Sequence, residues 1–408
     1  MYSNNPGQYI DPSSEAGATL EISAALYNGD IKLMDLDCYP YYDQVTISVP
    51  GLSNDDVYTI RLTISYLGLS HVTERTYKVV SPRQEFTSEI EVLPDGTDGN
   101  AGTSATYVLF GDYPQSVVPS TSTLYVDESV KNDAGYCLGD DGCWYVKVYE
   151  DKYSSTHLNY SDGSAPRTYG GYENWRYFKV EPLKWRVISK NFDHDLDAET
   201  EGKWFLISEH TLKPSSFWYS DQSGPKVDGV TQNSSKYKYS NLRAWLNGLK
   251  YYNISGSEID GYYNKGFLQE AFTEDAQNLI LTTKVDNSRS SGQDAAETFT
   301  PPAEGYFSEN TDDKIFILSQ REATSPEYGF QGRNIEDDAR SFTATDYAIA
   351  SGMYVGDDGV GSWWLRSPAS DSPRTSVLQG SLYKNVSATA PSHCEFYGVL
   401  PALCINPQ

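Results

Sequence analysis

The stretch that decides the C-terminal part of the chain is GSWWLRSP (361–368), together with YGVLPALCI (397–405) further on. Both consist of aromatic and aliphatic residues typical of buried strands. Residues 369–396 between them, which we name the bracketed segment, are polar and contain few large aliphatic side chains. Recognition surfaces are commonly built on segments that a scaffold positions. The pattern therefore predicts binding rather than catalysis.

Two adjacent tryptophans lie in the first of these stretches. Because successive residues of a strand face opposite sides, we expect one of Trp363 and Trp364 to face inward and the other outward. We place Trp364 at the rim of a binding site. Arg366 would share the face of Trp364 and support the structure, either by cation–π stacking or by pairing with a buried carboxylate.

The bracketed segment contains basic and aromatic residues of the kind that anchor interfaces. They are Arg374, Tyr383, Lys384, His393 and Phe396. Gly380 and Ser381 predict a turn between two strands. The segment therefore predicts a ligand-binding surface, with a polar surface hairpin that has no partner as the alternative.

The chain is acidic and rich in tyrosine. Among its 408 residues, 56 Asp and Glu outnumber 31 Lys and Arg, which gives a formal net charge of −25, and 33 residues are Tyr. This charge repels phosphate and so argues against nucleic acid and anionic membranes as partners. Tyrosine offers a large contact area with a polar tip, which suits recognition. No apolar run is long enough for a membrane-spanning helix.

The N-terminal part has two recognisable regions before the main domain. Residues 1–17 are polar and lack the basic region and apolar core of a signal peptide, so an exported location would require that a signal was removed. Residues 18–94 alternate apolar and polar positions between turn signals, which predicts an all-β immunoglobulin-like sandwich. Residues 95–105, DGTDGNAGTSA, are typical of a flexible linker.

The remaining residues, 106–408, combine strand and helix patterns. Aromatic and β-branched segments predict strands, and short helices are predicted within 240–249, 264–281 and 343–352. The candidate N-cap residues are Ser240, Thr273, and Thr345 or Thr343. Because strands are accompanied by a few short helices and long loops, we expect an α+β domain rather than a doubly wound sheet.

Two cysteines are candidates for a disulfide, and two acidic loops are candidates for a calcium site. Cys137 and Cys143 flank five residues with turn character, so a hairpin would place them close enough for a disulfide. Acidic Gly-rich loops at 95–105 and 355–361 offer oxygen ligands for calcium, but a linker and a tight turn explain them without a metal. We therefore expect no required cofactor, with calcium as the alternative. No Gly-x-Ser-x-Gly, P-loop or His-Glu-x-x-His motif occurs, and no enzyme activity is predicted.

Eight motifs in order resemble a bacterial domain family of unknown function with a C-type-lectin-like fold. They are YVLFGDYPQ (107–115), FKVEPLKWRVIS (178–189), LRAWLNG (242–248), FLQEAF (267–272), TDDKIFILSQREA (311–323), TDYAIASG (345–352), GSWWLRSP (361–368) and YGVLPAL (397–403). That fold is similar to the variable proteins of diversity-generating retroelements and to the formylglycine-generating enzyme family. The resemblance implies a C-type-lectin-like domain over 106–408.

In variable proteins, mutagenic reverse transcription rewrites the segment that corresponds to the bracketed segment, which then displays a new binding surface. The resemblance implies that the ligand-binding positions here are Asp371, Ser372, Arg374, Thr375, Gln379, Tyr383, Lys384, Asn385, His393, Glu395 and Phe396, with Trp364 at their rim. It leaves two alternatives open, a diversified segment and a fixed segment on the same fold. The sugar-binding motifs of calcium-dependent lectins are missing.

These observations predict an exported, surface-associated bacterial protein that binds a protein or glycan on another cell or a host surface. The immunoglobulin-like module would serve as a spacer for the binding domain. Three alternatives stay open: a glycan-binding adhesin with an aromatic stacking platform, an enzyme of the formylglycine-generating type that uses Cys394, and a structural envelope protein.

Overall fold

A computed structural model describes residues 21–41, 44–49, 57–66, 69–78, 88–94, 96–97, 104–150, 158–166, 175–192, 203–220, 223–369, 374–379 and 385–406. The chain divides into two compact units. The first comprises Met1–Gln84, Thr123–Val130 and Leu138–Cys143, and the second comprises Glu85–Ser122, Lys131–Cys137 and Trp144–Gln408. The domain boundaries predicted after residues 17, 94 and 105 stay predictions.

Strands make up most of the regular structure. In chain order they are β1 (Glu21–Asn28), β2 (Ile31–Tyr41), β3 (Gln44–Ser48), β4 (Val57–Tyr66), β5 (Leu69–Lys78), β6 (Glu91–Val92), β7 (Gly96–Thr97), β8 (Ser104–Val117), β9 (Val126–Lys131), β10 (Cys137–Gly139), β11 (Trp144–Tyr149), β12 (Trp175–Ser189), β13 (Trp204–Ser208), β14 (His210–Thr211), β15 (Lys213–Pro214), β16 (Lys226–Val227), β17 (Val230–Thr231), β18 (Tyr251–Tyr252), β19 (Glu258–Ile259), β20 (Thr283–Val285), β21 (Thr311–Asp313), β22 (Ile315–Phe316), β23 (Thr343–Ala344), β24 (Trp363–Pro368), β25 (Arg374–Gln379), β26 (Asn385–Pro391), β27 (Gly398–Val399) and β28 (Ala402–Ile405).

The α-helices of the described residues are short, and side chains cap three of them. They are α1 (Asn241–Asn247), α2 (Phe267–Ala271), α3 (Glu274–Leu279) and α4 (Asp346–Ala350). The predicted caps are confirmed: hydroxyls of Ser240, Thr273 and Thr345 accept hydrogen bonds from backbone N–H groups three residues on. Single 3-10 turns are formed by Tyr237–Tyr239, Arg289–Gly292, Glu304–Tyr306, Glu322–Thr324, Pro326–Tyr328 and Asp338–Arg340.

In the first unit, the strands between residues 21 and 78 form one antiparallel sheet in the order β3-β2-β1-β4-β5. Its register places Leu26 opposite both Met34 and Ile60, so apolar side chains of three strands share one face. Ala24 and Leu26 of this face are buried. These strands form a single sheet rather than the two packed layers of the predicted immunoglobulin-like sandwich.

In the second unit, the long strand β12 organises the larger sheet. It pairs with β8, β11 and β13, and β28 connects β13 to β22. Trp185 of β12 is fully buried, and its indole N–H donates to the carbonyl of Phe110 at 2.8 Å. The aromatic core around it explains how an aliphatic-poor chain buries enough surface to fold.

Strand β28 belongs to the larger sheet, and a smaller sheet contains β24 and β27. Its order is β15-β27-β24-β25-β26, in which β24 and β27 run parallel and the other neighbours run antiparallel. Every residue of β24, β27 and β28 is buried. We name these three buried strands the frame.

The predicted α+β class with a C-type-lectin-like domain is wrong. Strands account for 42% of the residues and helices for 14%, and the many antiparallel sheets fit an all-β fold better. The predicted helices form, but each extends over one or two turns only. In α1, for example, Gly248 adopts φ 64° and ends the helix after seven residues. Such helices are too short to form a layer of their own, so the antiparallel sheets dominate the fold.

Candidate ligand-binding face

The two tryptophans of β24 are both part of the core. The expectation that one faces outward, and with it the place of Trp364 at a binding-site rim, is wrong, because both are fully buried. The strand alternation holds, but each side of β24 is covered. Trp363 packs edge-on against Phe342 at 5.8 Å, and Trp364 contacts Tyr397 at 5.0 Å. The Trp364 indole N–H donates to the carbonyl of Ser215 at 2.6 Å.

Arg366 fastens β24 to the core through a buried ion pair. Its Nη1 and Nη2 donate to the two carboxylate oxygens of Glu322, each at 2.6 Å, and Nη1 also donates to the Ile317 carbonyl at 2.6 Å. Burial alone would lower the pKa of Arg366, but the Glu322 carboxylate outweighs burial and raises it. The expected carboxylate partner of Arg366 is confirmed, and the pair supports the frame.

The bracketed segment forms a strand pair on the edge of the frame. Strand β25 pairs with β24 on one side and with β26 on the other, which confirms two strands around the predicted turn. Arg374, Thr375 and Gln379 lie on β25, and Asn385 begins β26. Of the other predicted positions, Asp371, Ser372, Tyr383, Lys384 and the turn at Gly380–Ser381 lie outside the described residues.

The last part of the bracketed segment combines a tethered backbone with exposed side chains. The carbonyl of Ser392 accepts from Trp218 N at 2.8 Å, and the carbonyl of Phe396 accepts from Tyr354 N at 3.1 Å. Between these tethers, His393 and Glu395 are exposed, and Phe396 is 44% exposed. The structure therefore brings three predicted site residues together on one short surface segment.

Two exposed tyrosines beside this segment are not predicted as site residues from the sequence. Tyr354 is 47% exposed and is bonded through its backbone to Phe396. Tyr219 is also exposed and follows Trp218, which is bonded to Ser392. Both are distant in sequence from the bracketed segment. The only sequence signal for them is the high tyrosine content, which indicates surface recognition in general and no particular residue.

The loop at 355–361 is a turn. The Asp358 carboxylate accepts from Val360 N at 3.1 Å, and Gly359 adopts φ 78°, a conformation that favours glycine. Within the described ranges, no group of three or more His, Cys, Asp or Glu side chains is placed to hold a metal ion. The calcium alternative stays a prediction.

The cysteines differ in burial. Burial raises the pKa of the Cys404 thiol to about 12, whereas Cys394 is partly exposed. A thiol with such a pKa is protonated at neutral pH and is a poor nucleophile. Cys137 and Cys143 are not joined in the structure, and the disulfide between them stays a prediction.

In the part of the chain that the structure describes, no helix is long and apolar enough to cross a membrane.

A family model matches residues 201–407, and its description is a domain of unknown function, DUF6273. That description states no fold, ligand or activity, so the resemblance to retroelement variable proteins and to formylglycine-generating enzymes stays a prediction. No curated protein matches the chain. Because the matched residues make up just over half of the 408-residue chain, the protein belongs to the DUF6273 family.

Proposed function

We propose that the protein is an exported, surface-exposed bacterial ligand-binding protein whose binding face is the bracketed segment. It binds by surface complementarity and carries out no turnover. The partner is a protein or a glycan on another cell or a host surface. The net charge of −25 supports a partner other than nucleic acid, because phosphate would be repelled.

One observation carries this proposal: a segment that lies between buried strands exposes three side chains in its last part. The frame is buried at every residue, while His393, Glu395 and Phe396 between its strands are exposed. A large apolar side chain left open beside polar neighbours is typical of an interaction anchor. Binding that orders few new groups loses little conformational entropy, so a tethered backbone favours affinity.

The exposed aromatic side chains indicate how a ligand would be held. Phe396 packs against Tyr397 with ring centroids 4.6 Å apart, and Tyr354 is bonded to Phe396 through the backbone. Aromatic residues are enriched at protein interfaces because they bury a large area at low entropic cost. The acidic and basic neighbours Glu395 and His393 would set orientation.

The hypothesis that a retroelement diversifies the segment rests on the resemblance alone. It is compatible with the geometry, because a buried frame separates folding from the identity of the surface residues. A reverse-transcriptase gene beside a near-copy of the coding segment for 369–396, differing at adenines, would support it. A neighbourhood without either would leave a fixed binding face.

The enzyme alternative has little support from the thiols. An activity of the formylglycine-generating type would need a pair of reactive cysteines, and the buried Cys404 is protonated at neutral pH. The second unit offers Cys394 as the more accessible thiol of the two C-terminal cysteines. Binding without catalysis therefore fits these two side chains better.

A screen followed by two point variants tests the proposal. The full chain is applied to a glycan array and to an array of purified host surface proteins. Phe396→Ser should abolish or strongly weaken the interaction that the wild type shows. Val230→Ser is the matched control, because Val230 is an exposed apolar residue of the same unit on the separate β16–β17 hairpin. Equal binding by the wild type and Phe396→Ser would place the binding face elsewhere.

A further inference from the structure

A second feature of the molecule, a cavity of about 830 Å³ in the second unit, takes no part in the proposed binding face. It opens above the buried Arg366–Glu322 pair, and both side chains contribute to its lining. Its volume falls within the range of about 300–1,000 Å³ that is usual for small-molecule sites. The cavity is therefore large enough for a small ligand.

Hydroxyl groups and one carboxylate dominate one wall. Asp286 accepts from Ser288 N at 2.9 Å and from the Ser290 hydroxyl at 3.3 Å, and the two serine hydroxyls lie 2.7 Å apart. The backbone carbonyl of Asp286 accepts from Arg366 Nε at 3.2 Å, which ties this wall to the floor. Short hydroxyl side chains act as both donors and acceptors, so they can bond a ligand that does the same.

Tyr328 supplies an aromatic surface to the cavity lining. Its ring packs edge-on against Phe205, with centroids 5.3 Å apart and an angle of 86°, and it also contacts Phe192. The side chain is partly exposed and lines the cavity. An aromatic ring fixed by packing presents an apolar patch at little entropic cost.

The charges around the cavity largely pair with each other. Arg366 and Glu322 form the buried pair, and Arg321 lies 3.3 Å from Glu297. Glu327 is exposed at the rim. An ionic ligand would have to compete with these pairs, whereas a neutral ligand rich in hydroxyl groups could use the serines and Asp286 without disturbing them.

We propose that this cavity is a binding site for a neutral saccharide of one or two sugar units. The hydroxyl groups of the sugar would bond to the serines and to Asp286, and its C–H face would pack on Tyr328. None of the described residues of the bracketed segment lines the cavity, so the proposal goes beyond the proposed function and does not rest on it.

Isothermal titration calorimetry of the full chain tests this assignment. The probes are glucose, galactose, mannose, N-acetylglucosamine, N-acetylgalactosamine, cellobiose and lactose, with glucosamine, glucuronic acid and inorganic phosphate as charged comparisons. Ser290→Trp fills the cavity from an exposed position, and Ser257→Trp places the same side chain at an exposed serine of the β18–β19 turn. Asp286→Asn removes the carboxylate charge and keeps the side chain's shape.

At least one neutral sugar should bind the wild type, with a dissociation constant that rises about tenfold or more in Ser290→Trp and Asp286→Asn and stays unchanged in Ser257→Trp. Three results would overturn the assignment: no neutral sugar binds at about 10 mM, only the charged probes bind, or both cavity variants bind like the wild type. Melting temperatures show whether each variant is folded. If Ser290→Trp does not fold, the sugar affinity of Asp286→Asn alone tests the assignment.

Discussion

The Arg366–Glu322 pair gives the sharpest prediction for how the frame is held. Glu322→Gln removes the negative charge and keeps the side chain's shape, so the Arg366 guanidinium stays buried without its carboxylate. Both side chains are more than nine-tenths buried. Loss of one partner of a buried ion pair costs about 3–5 kcal/mol, because the remaining charge is uncompensated. For a unit of about 300 residues this corresponds to a fall in Tm of about 5–8 °C.

Thermal and urea unfolding followed by tryptophan fluorescence measure this loss. Glu297→Gln is the matched control, because it removes the partner of the exposed Arg321 and should change the free energy of unfolding by less than about 1 kcal/mol. The double variant Arg366→Met with Glu322→Leu should recover most of the stability, since an apolar pair of similar volume avoids the cost of burying charge. The reasoning fails if Glu322→Gln is no less stable than Glu297→Gln.

Two further predictions concern titration and thiol chemistry. Burial lowers the pKa of His210 from 6.5, so its neutral form is favoured in the folded state. Below about pH 6.5 the unfolded state takes up a proton that the folded state resists, and stability falls as the pH decreases towards the folded pKa. His210→Gln should lessen the fall in Tm between pH 7 and pH 5. The control His393→Gln, at an exposed position, should not lessen it. Identical pH profiles of Tm for the wild type and His210→Gln would contradict this prediction. Iodoacetamide should label Cys394 in the native protein and Cys404 only after unfolding, as read by mass spectrometry, and fast native labelling of Cys404 would refute its burial.

Local features of this protein could be predicted because they depend on neighbours in the sequence. The hydroxyls of Ser240, Thr273 and Thr345 cap helices, since a cap needs only a side chain and an N–H three residues away. The strands of the bracketed segment likewise follow from a turn signal between two extended stretches. The caps join residues three positions apart, and the two strands are neighbours in the sequence.

Features that depend on distant residues could not be predicted in the same way. The alternation at Trp363 and Trp364 was correct, but Phe342 and Tyr397 cover the two sides of β24, and no local pattern indicates that cover. The same reason applies to Tyr354, which is joined to the proposed binding face by a long-range backbone hydrogen bond to Phe396. The predicted fold class is wrong because the helices form but are too short to make a layer.

The central claim is the division between a buried frame and a surface whose residues can change without loss of the fold. Thermal unfolding of a triple variant, with alanine at His393, Glu395 and Phe396, tests this most directly against Trp364→Ala. The account predicts that the triple variant melts within about 2 °C of the wild type, as exposed substitutions do. Trp364→Ala should lose about 3–5 kcal/mol, because it leaves a cavity in the core. A triple variant as unstable as Trp364→Ala would contradict the account.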